Sequence, residues 1–216
     1  MNLIFDLDGT LIDSRMRLYR LFQQLVPASV FTFDEYWKLK KSRQSHHHIL
    51  VNHFGLDSAA VDHFLSEWMK LIEAKEFLAL DEPFPDINAT LTRLGECATL
   101  HLCTARQCRG SALVQLERLK LLPYFDQFLV TGQKLTKEDL IRQHVPDLSS
   151  HDWIIGDTGK DIQIGKALGI KTCAVLSGFM SETALREYQP DLILASAVDF
   201  TFGHFSQTRL STTHRS

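Results

Sequence analysis

Apolar positions along the chain follow two different rhythms, and the change falls at about residue 85. Leu3, Ile4 and Phe5 form a short continuous apolar run that predicts a buried strand, ended by a turn at Gly9-Thr10. From Ser14 the spacing becomes helical. Asp13 or Ser14 can cap a helix whose Leu18, Leu21, Phe22 and Leu25 fall at i, i+3, i+4 and i+7, and Pro27 closes it. Thr32 and Glu35 make a capping box, with Phe31 and Tyr36 placed as a hydrophobic staple, so a second helix is expected from Phe33. Asp57 or Ser58 opens a third, with Val61, Phe64, Leu65, Trp68 and Ile72 along one face. Between Ser14 and about Phe84 only helices are expected.

From Pro85 short apolar runs alternate with helical stretches, the pattern of a parallel sheet covered by helices. Strands are expected at 99–103, 127–130, 153–155, 172–175 and 192–194, which with the first makes six. Helices are expected at 87–94, stopped by Gly95, and at 111–119, 136–144 and 162–168, the last closed by Gly169. The expected fold class is therefore α/β, with a parallel-sheet core formed by residues 1–13 and 85–216 and an inserted helical segment at 14–84. Ligands of open parallel sheets bind beyond the carboxyl ends of the strands. An insert leaving from that edge would act as a lid.

Composition narrows the function classes. The chain has 216 residues, 44% hydrophobic and 23% charged, with a formal net charge of −3, which gives no general attraction to nucleic acid or to an anionic membrane. Cys97, Cys103, Cys108 and Cys173 show no metal-binding spacing and read as reduced thiols. The first ten residues lack the basic flank and apolar core of a signal peptide, and no apolar run approaches a membrane span, so a cytoplasmic protein is expected. The tail after Phe205, rich in Ser, Thr and basic residues, is expected to fray.

Candidate chemistry lies at the strand ends. Asp6 and Asp8 follow the first strand two residues apart, and extended geometry would project both to one side with Leu7 opposite. Two carboxylates so close need a metal, a shared proton or a cation. Thr104 is the first polar residue after the next apolar run, followed by Ala105, and its hydroxyl with nearby backbone N–H groups suits a phosphate oxygen. In the stretch GDTGKD, one helical turn would put Asp157 and Asp161 on the same face. So many acids imply a divalent cation, and all-oxygen ligands point to Mg²⁺. Lys137, in a first helical turn capped by Thr136, or its rival Lys134, would supply the cation for a substrate anion. The triple histidine His46-His47-His48 is a poor metal site, because adjacent helical residues point apart. Loop or exposed helix positions are expected there; the alternative is that one of them, or Arg43 or Lys40, touches a substrate from above.

These pieces, in this order on successive strand ends, resemble the haloacid dehalogenase superfamily. DLDGT matches its first motif, Thr104 the second, Lys137 the third and GDTGKD the fourth, and the segments 174–178 and 190–193 are similar to the phosphoglycolate phosphatase-like branch with a helical cap. The resemblance implies a Rossmann-like core with an inserted cap. It also implies a Mg²⁺-dependent phosphatase acting on a small phosphorylated metabolite through an aspartyl-phosphate. Asp6 would be the nucleophile and Asp8 the acid and base, a role that needs a raised pKa, toward which the charge of Asp6 pushes and against which the metal acts. Mg²⁺ would be held by Asp6, the backbone carbonyl of Asp8 and Asp157, with Asp161 as a further ligand or one step removed from the ion. Thr104, Ala105 and Lys137 would bind the phosphoryl oxygens. That branch commonly follows its lysine with proline, where this chain has Glu138, which keeps Lys134 open as the alternative. It often has asparagine at the second position after Thr or Ser, where this chain has Ala105 then Arg106, a change that alters what reaches the phosphate. A phosphomutase similar to beta-phosphoglucomutase uses the same acids, and a non-enzymatic phospho-ligand-binding relative is a further alternative. Asp8 argues against a 2-haloacid dehalogenase.

Overall fold

The computed structural model describes residues 1–206; beyond Ser206 the tail expected to fray lies outside the described residues. The chain opens with strand β1 (Asn2–Phe5) and the two-residue strand β2 (Ile12–Asp13). Five helices follow, α1 (Arg15–Leu25), α2 (Phe33–Lys41), α3 (His46–Phe54), α4 (Ser58–Leu71) and α5 (Lys75–Leu78). Strand β3 (Glu82–Pro83) then pairs antiparallel with β2. The remainder alternates: α6 (Ile87–Gly95), β4 (Thr99–Thr104), α7 (Arg109–Arg118), β5 (Gln127–Val130), α8 (Lys137–His144), β6 (Trp153–Gly156), α9 (Gly159–Leu168), β7 (Lys171–Val175), α10 (Glu182–Arg186), β8 (Leu192–Leu194) and α11 (Gly203–Ser206).

Six strands form one sheet in the order β5-β4-β1-β6-β7-β8, every neighbouring pair parallel. Each strand expected from the apolar runs is present, within one residue at either end. Leu3, Ile4 and Phe5 of β1 are fully buried, on both faces of the sheet. Leu3 and Phe5 enter one apolar cluster and Ile4 the cluster on the opposite face, as the two-residue period of a strand requires. After β5 the chain returns to the other side of β1, so the strand order reverses there. A crevice opens at such a reversal beyond the strand ends.

The helices of residues 15–78 have an apolar cluster of their own, built around Phe22, Tyr36, Ile49, Leu50, Phe64 and Trp68. The capping box at the start of α2 is formed, with the Glu35 carboxylate accepting from the Thr32 N–H at 2.8 Å. Three details differ from expectation. The stretch before Phe84 is not purely helical, because Glu82–Pro83 pairs with Ile12–Asp13; a two-residue ribbon has no alternation long enough to leave a sequence signal. Leu65 is 38% exposed rather than on the packed face of α4. His46 is not an exposed histidine.

His46 sits three and four residues before Ile49 and Leu50, the buried face of α3. Its ring centroid lies 4.1 Å from that of Trp68, and Nε2 is 2.9 Å from the Tyr36 hydroxyl. His47 and His48 are exposed. Burial, with Lys40 adding to it, pushes the His46 pKa down from 6.5 to about 3. Between those values the unfolded chain binds the extra proton, so the stability contributed by neutral His46 is complete above pH 6.5 and is lost as pH falls toward 3. His46→Gln is expected to remove roughly 2 kcal/mol of the stability difference between about pH 7 and pH 5, read by urea unfolding at the two pH values.

Candidate active site

Asp6 is the first residue past β1, and its N–H donates to the Ile155 carbonyl of β6 at 2.9 Å. The chain then turns rather than continuing extended. The Leu7 carbonyl accepts the N–H groups of Thr10, Leu11 and Ile12 at 3.3, 2.9 and 3.1 Å. Asp6 and Asp8 nevertheless line one cleft, as expected, while the two carboxylates take different partners.

Asp6 joins Asp157 and Asp161, and one carboxylate oxygen from each lies within 4.8 Å of the others. Asp157 follows β6, outside α9, so a shared helical turn is not what brings it to Asp161. Its Oδ2 accepts the Phe179 N–H at 2.7 Å. Gly178 lies directly against it: a Cβ there would stand 2.0 Å from Asp157 Oδ2. Asp161 reaches back to the start of its own helix, where Oδ2 accepts from the Thr158 hydroxyl at 2.6 Å. Lys137, in the first turn of α8, donates from Nζ to Asp6 Oδ1 at 2.8 Å and to Asp161 Oδ1 at 2.7 Å. Lys134 instead lines the neighbouring pocket with Thr131, Leu135 and Gln163. Thr104 ends β4, and Thr104 and Ala105 line the same cleft of about 360 Å³ as Asp6, Asp8, Lys137 and Asp157. The helical segment closes over it with Arg17, Leu18, Trp68, Met69, Ile72 and Glu73.

The charges explain each carboxyl's behaviour. Burial raises Asp6 to about 6 despite Lys137, with Asp161 adding to the rise. Burial raises Asp157 well above the usual carboxylate range, with Asp6 and Asp161 pushing the same way. Burial would lift Asp8 too, but Arg106 and Arg17 outweigh it and hold the carboxyl at about 2. The expected upward shift of Asp8 is thus reversed, because guanidinium groups and not the Asp6 carboxylate are its nearest charges. Burial opposes the charge on Lys137, yet Asp161 and Asp6 raise its pKa above the ordinary lysine value.

Three clustered acids, Asp6, Asp157 and Asp161, with Lys137 bridging two of them, make an arrangement that can hold a cation and an anion side by side. A family model described as haloacid dehalogenase-like hydrolase matches residues 3–175. The chain belongs to that family. Among its relatives, the pyrophosphatase PpaX of Halalkalibacterium halodurans is 26% identical over 91% of this chain and 93% of its own length. A phosphoglycolate phosphatase of Aquifex aeolicus is 25% identical with the same coverage of both chains, 91% and 93%. A haloacid dehalogenase-like hydrolase of Streptococcus pneumoniae shares the fold, with a TM-score of 0.72 at 23% identity over 91% of this chain and 94% of that one. Among the described residues no helix is long and apolar enough to cross a membrane.

Arg106, marked in the sequence as a departure from the family pattern, turns to Asp8, together with residues for which there was little local reason to choose them. Asp8 Oδ2 accepts from Arg106 Nε at 2.6 Å, Oδ1 accepts from Arg106 Nη2 at 2.8 Å, and Oδ1 also accepts from Arg17 Nη2. Both arginines reach on to Asp81, which is fully buried just before β3. A signal existed for Arg17: it lies four residues before Leu21, on the buried face of α1, where a charge needs a partner. Nothing local marks Asp81. Glu73 was also missed, and its carboxylate accepts the Gln107 and Cys108 N–H groups at 2.7 and 3.0 Å, tying the helical segment to the start of α7.

Proposed function

We propose that this chain is a Mg²⁺-dependent phosphatase that hydrolyses a small phosphomonoester through an aspartyl-phosphate on Asp6. The observation that carries this is the convergence of Asp6, Asp157 and Asp161 within 4.8 Å, bridged by Lys137 on the floor of a covered cleft. The names of the two relatives, a pyrophosphatase and a phosphoglycolate phosphatase, support it. Residues 14–84 serve as the cap and residues 1–13 with 85–216 as the core, a division supported by the separate apolar cluster of the helices.

The donor set fits Mg²⁺, being all oxygen, buried and more negative than Lys137 alone offsets. Asp6, the Asp8 carbonyl, Asp157 and Asp161 would hold the ion. When bound, it neutralises charge on the transferring phosphoryl group.

Thr104, the Ala105 backbone and Lys137 bind the phosphoryl oxygens and set the phosphorus against Asp6. An Asp6 oxygen forms a bond to phosphorus as the bond to the leaving oxygen breaks. Asp8 gives that oxygen a proton, which requires that the Arg17 and Arg106 contacts that hold it ionised first release it and let it take one up from water. Water next attacks the same phosphorus while Asp8 takes its proton. The bond to Asp6 breaks, inorganic phosphate leaves, and both carboxyls return to their starting state. The cap residues Trp68, Met69 and Ile72 exclude bulk water during both steps.

Phosphate release from 4-nitrophenyl phosphate is the test. Turnover is expected with Mg²⁺ and is expected to fall to background in EDTA. Transfer of phosphate between sugar hydroxyls in place of hydrolysis would make the chain a mutase. Phosphate binding without any turnover would make it a binding protein.

A further inference from the structure

The two parts of the chain bring residues of opposite character to the cleft. The sheet side supplies Asp6, Thr104, Lys137 and Asp157, whereas the helical segment supplies Leu18 from α1, Trp68 and Met69 from α4, and Ile72 just beyond it. Ile72 continues the last turn of α4, its N–H donating to the Trp68 carbonyl at 2.9 Å, so Trp68, Met69 and Ile72 fall at i, i+1 and i+4 on one side of the helix end. Phe179, from the loop after β7, lines the same cleft. The helical segment also contributes two charged residues, Arg17 and Glu73, and both are already engaged. Arg17 donates to Asp81 and to the Ile72 carbonyl at 3.1 Å each, and with its remaining nitrogen to Asp8. Glu73 uses one carboxylate oxygen for the Gln107 N–H and the other for the Cys108 N–H.

The apolar residues are held from behind. The Trp68 ring packs on His46 at 4.1 Å and on Phe64 at 5.7 Å between centroids. Phe179 packs on Trp37 at 5.4 Å, and its N–H is tied to Asp157. A wall fixed in this way orders little when a ligand arrives. Met69, 43% exposed and unbranched, is the adaptable part.

We propose that the phosphomonoester hydrolysed here has a small, uncharged leaving group with an apolar body, seated against Leu18, Trp68, Met69, Ile72 and Phe179. This rests on the phosphatase reading above and names the substrate class for it. An alkyl group gains by losing water against such a wall. A second anion would lose its water there without a cation to meet it and beside the Glu73 carboxylate. The cleft, about 360 Å³, lies near the lower end of the roughly 300–1,000 Å³ found for small-molecule sites, so the leaving group is short. Lys160 and Gln133 line the cleft as well, but both are exposed and shared with the adjoining pocket.

The test compares kcat/KM, with Mg²⁺, for ethyl phosphate, butyl phosphate and 2-phosphoglycolate, the last being ethyl phosphate with a carboxylate in place of its methyl group. The chains are the native protein, Met69→Lys and Lys160→Met. Butyl phosphate is expected to exceed ethyl phosphate on the order of tenfold, at about fourfold for each methylene buried, and to exceed 2-phosphoglycolate by at least as much. Met69→Lys changes an exposed side chain and keeps the carbonyl that accepts from Gln107 Nε2. It should lower kcat/KM for butyl phosphate and raise it for 2-phosphoglycolate, while Lys160→Met should leave the native ranking in place. No gain from ethyl to butyl, or a ranking unmoved by Met69→Lys, would overturn the proposal. So would a native preference for 2-phosphoglycolate, and its loss in Lys160→Met would seat an anionic leaving group at that rim. A native chain inactive on these esters and on 4-nitrophenyl phosphate would instead overturn the phosphatase reading and this inference with it.

Discussion

Asp6→Asn is expected to lower kcat for 4-nitrophenyl phosphate by roughly 10⁴-fold or more, the effect of removing a nucleophile rather than a contact. The amide is close to the carboxylate in shape and still reaches Lys137, but it cannot form the acyl phosphate. The fold should tolerate the change. Burial, with Asp161 adding to it, raises the Asp6 pKa to about 6, so ionised Asp6 is an unfavourable charge in the metal-free protein at neutral pH. Removing it relieves repulsion with Asp157 and Asp161. The melting temperature in EDTA should therefore hold or rise while turnover disappears. A variant that retains a tenth of native turnover would rule out Asp6 as the nucleophile; one that loses activity only because it unfolds would show in the melt.

Lys137→Met should have the second-largest effect, and it should be visible in stability as well as rate. Lys137 Nζ bonds Asp6 and Asp161 at 2.8 and 2.7 Å, and only 10% of the side chain is exposed. Taking one partner out of a buried ion cluster leaves the remaining charges uncompensated, at a cost of about 3–5 kcal/mol. The loss should be greatest in EDTA and partly restored by Mg²⁺, so the gap between the two melting temperatures widens relative to the native chain. Turnover should fall about 10²–10³-fold through lost stabilisation of the transferring phosphoryl group. Lys134→Met, which alters a residue of the adjoining pocket, should leave both measurements near native values. The opposite result would transfer the phosphate-binding role to Lys134.

The candidate residues that could be read from sequence are those where chemistry and strand ends coincide, and the structure brings them to one cleft. Asp6, Thr104 and Asp157 each end or follow an apolar run, and parallel strands in neighbouring positions place such residues side by side. The choice between Lys137 and Lys134 was beyond the sequence. Both belong to the same short stretch, and only the path from β5 into α8 directs one of them at the acids. The behaviour of Asp8 was beyond it too, because its charge environment comes from residues 9, 73 and 98 positions away in the chain. His46 shows the same limit in the helical segment. Its neighbours His47 and His48 are exposed, and only packing of α3 against α1, α2 and α4 puts one imidazole among Phe22, Tyr36, Phe64 and Trp68.

By itself the sequence determined the α/β class, the six strands, the position of the inserted helices and the acids at the strand ends, because each is written in short-range periodicity or in adjacent residues. Tertiary structure alone decided which lysine enters the acidic cluster, that a β2–β3 ribbon joins the two parts, and that Asp8 is held by Arg17 and Arg106, which Asp81 holds in turn. The physical reason is that hydrophobic periodicity reports which way a side chain faces within its own element. Charge pairing in a buried site depends on which elements meet, and that is settled only when the sheet order and the packing of the helices over it are in place.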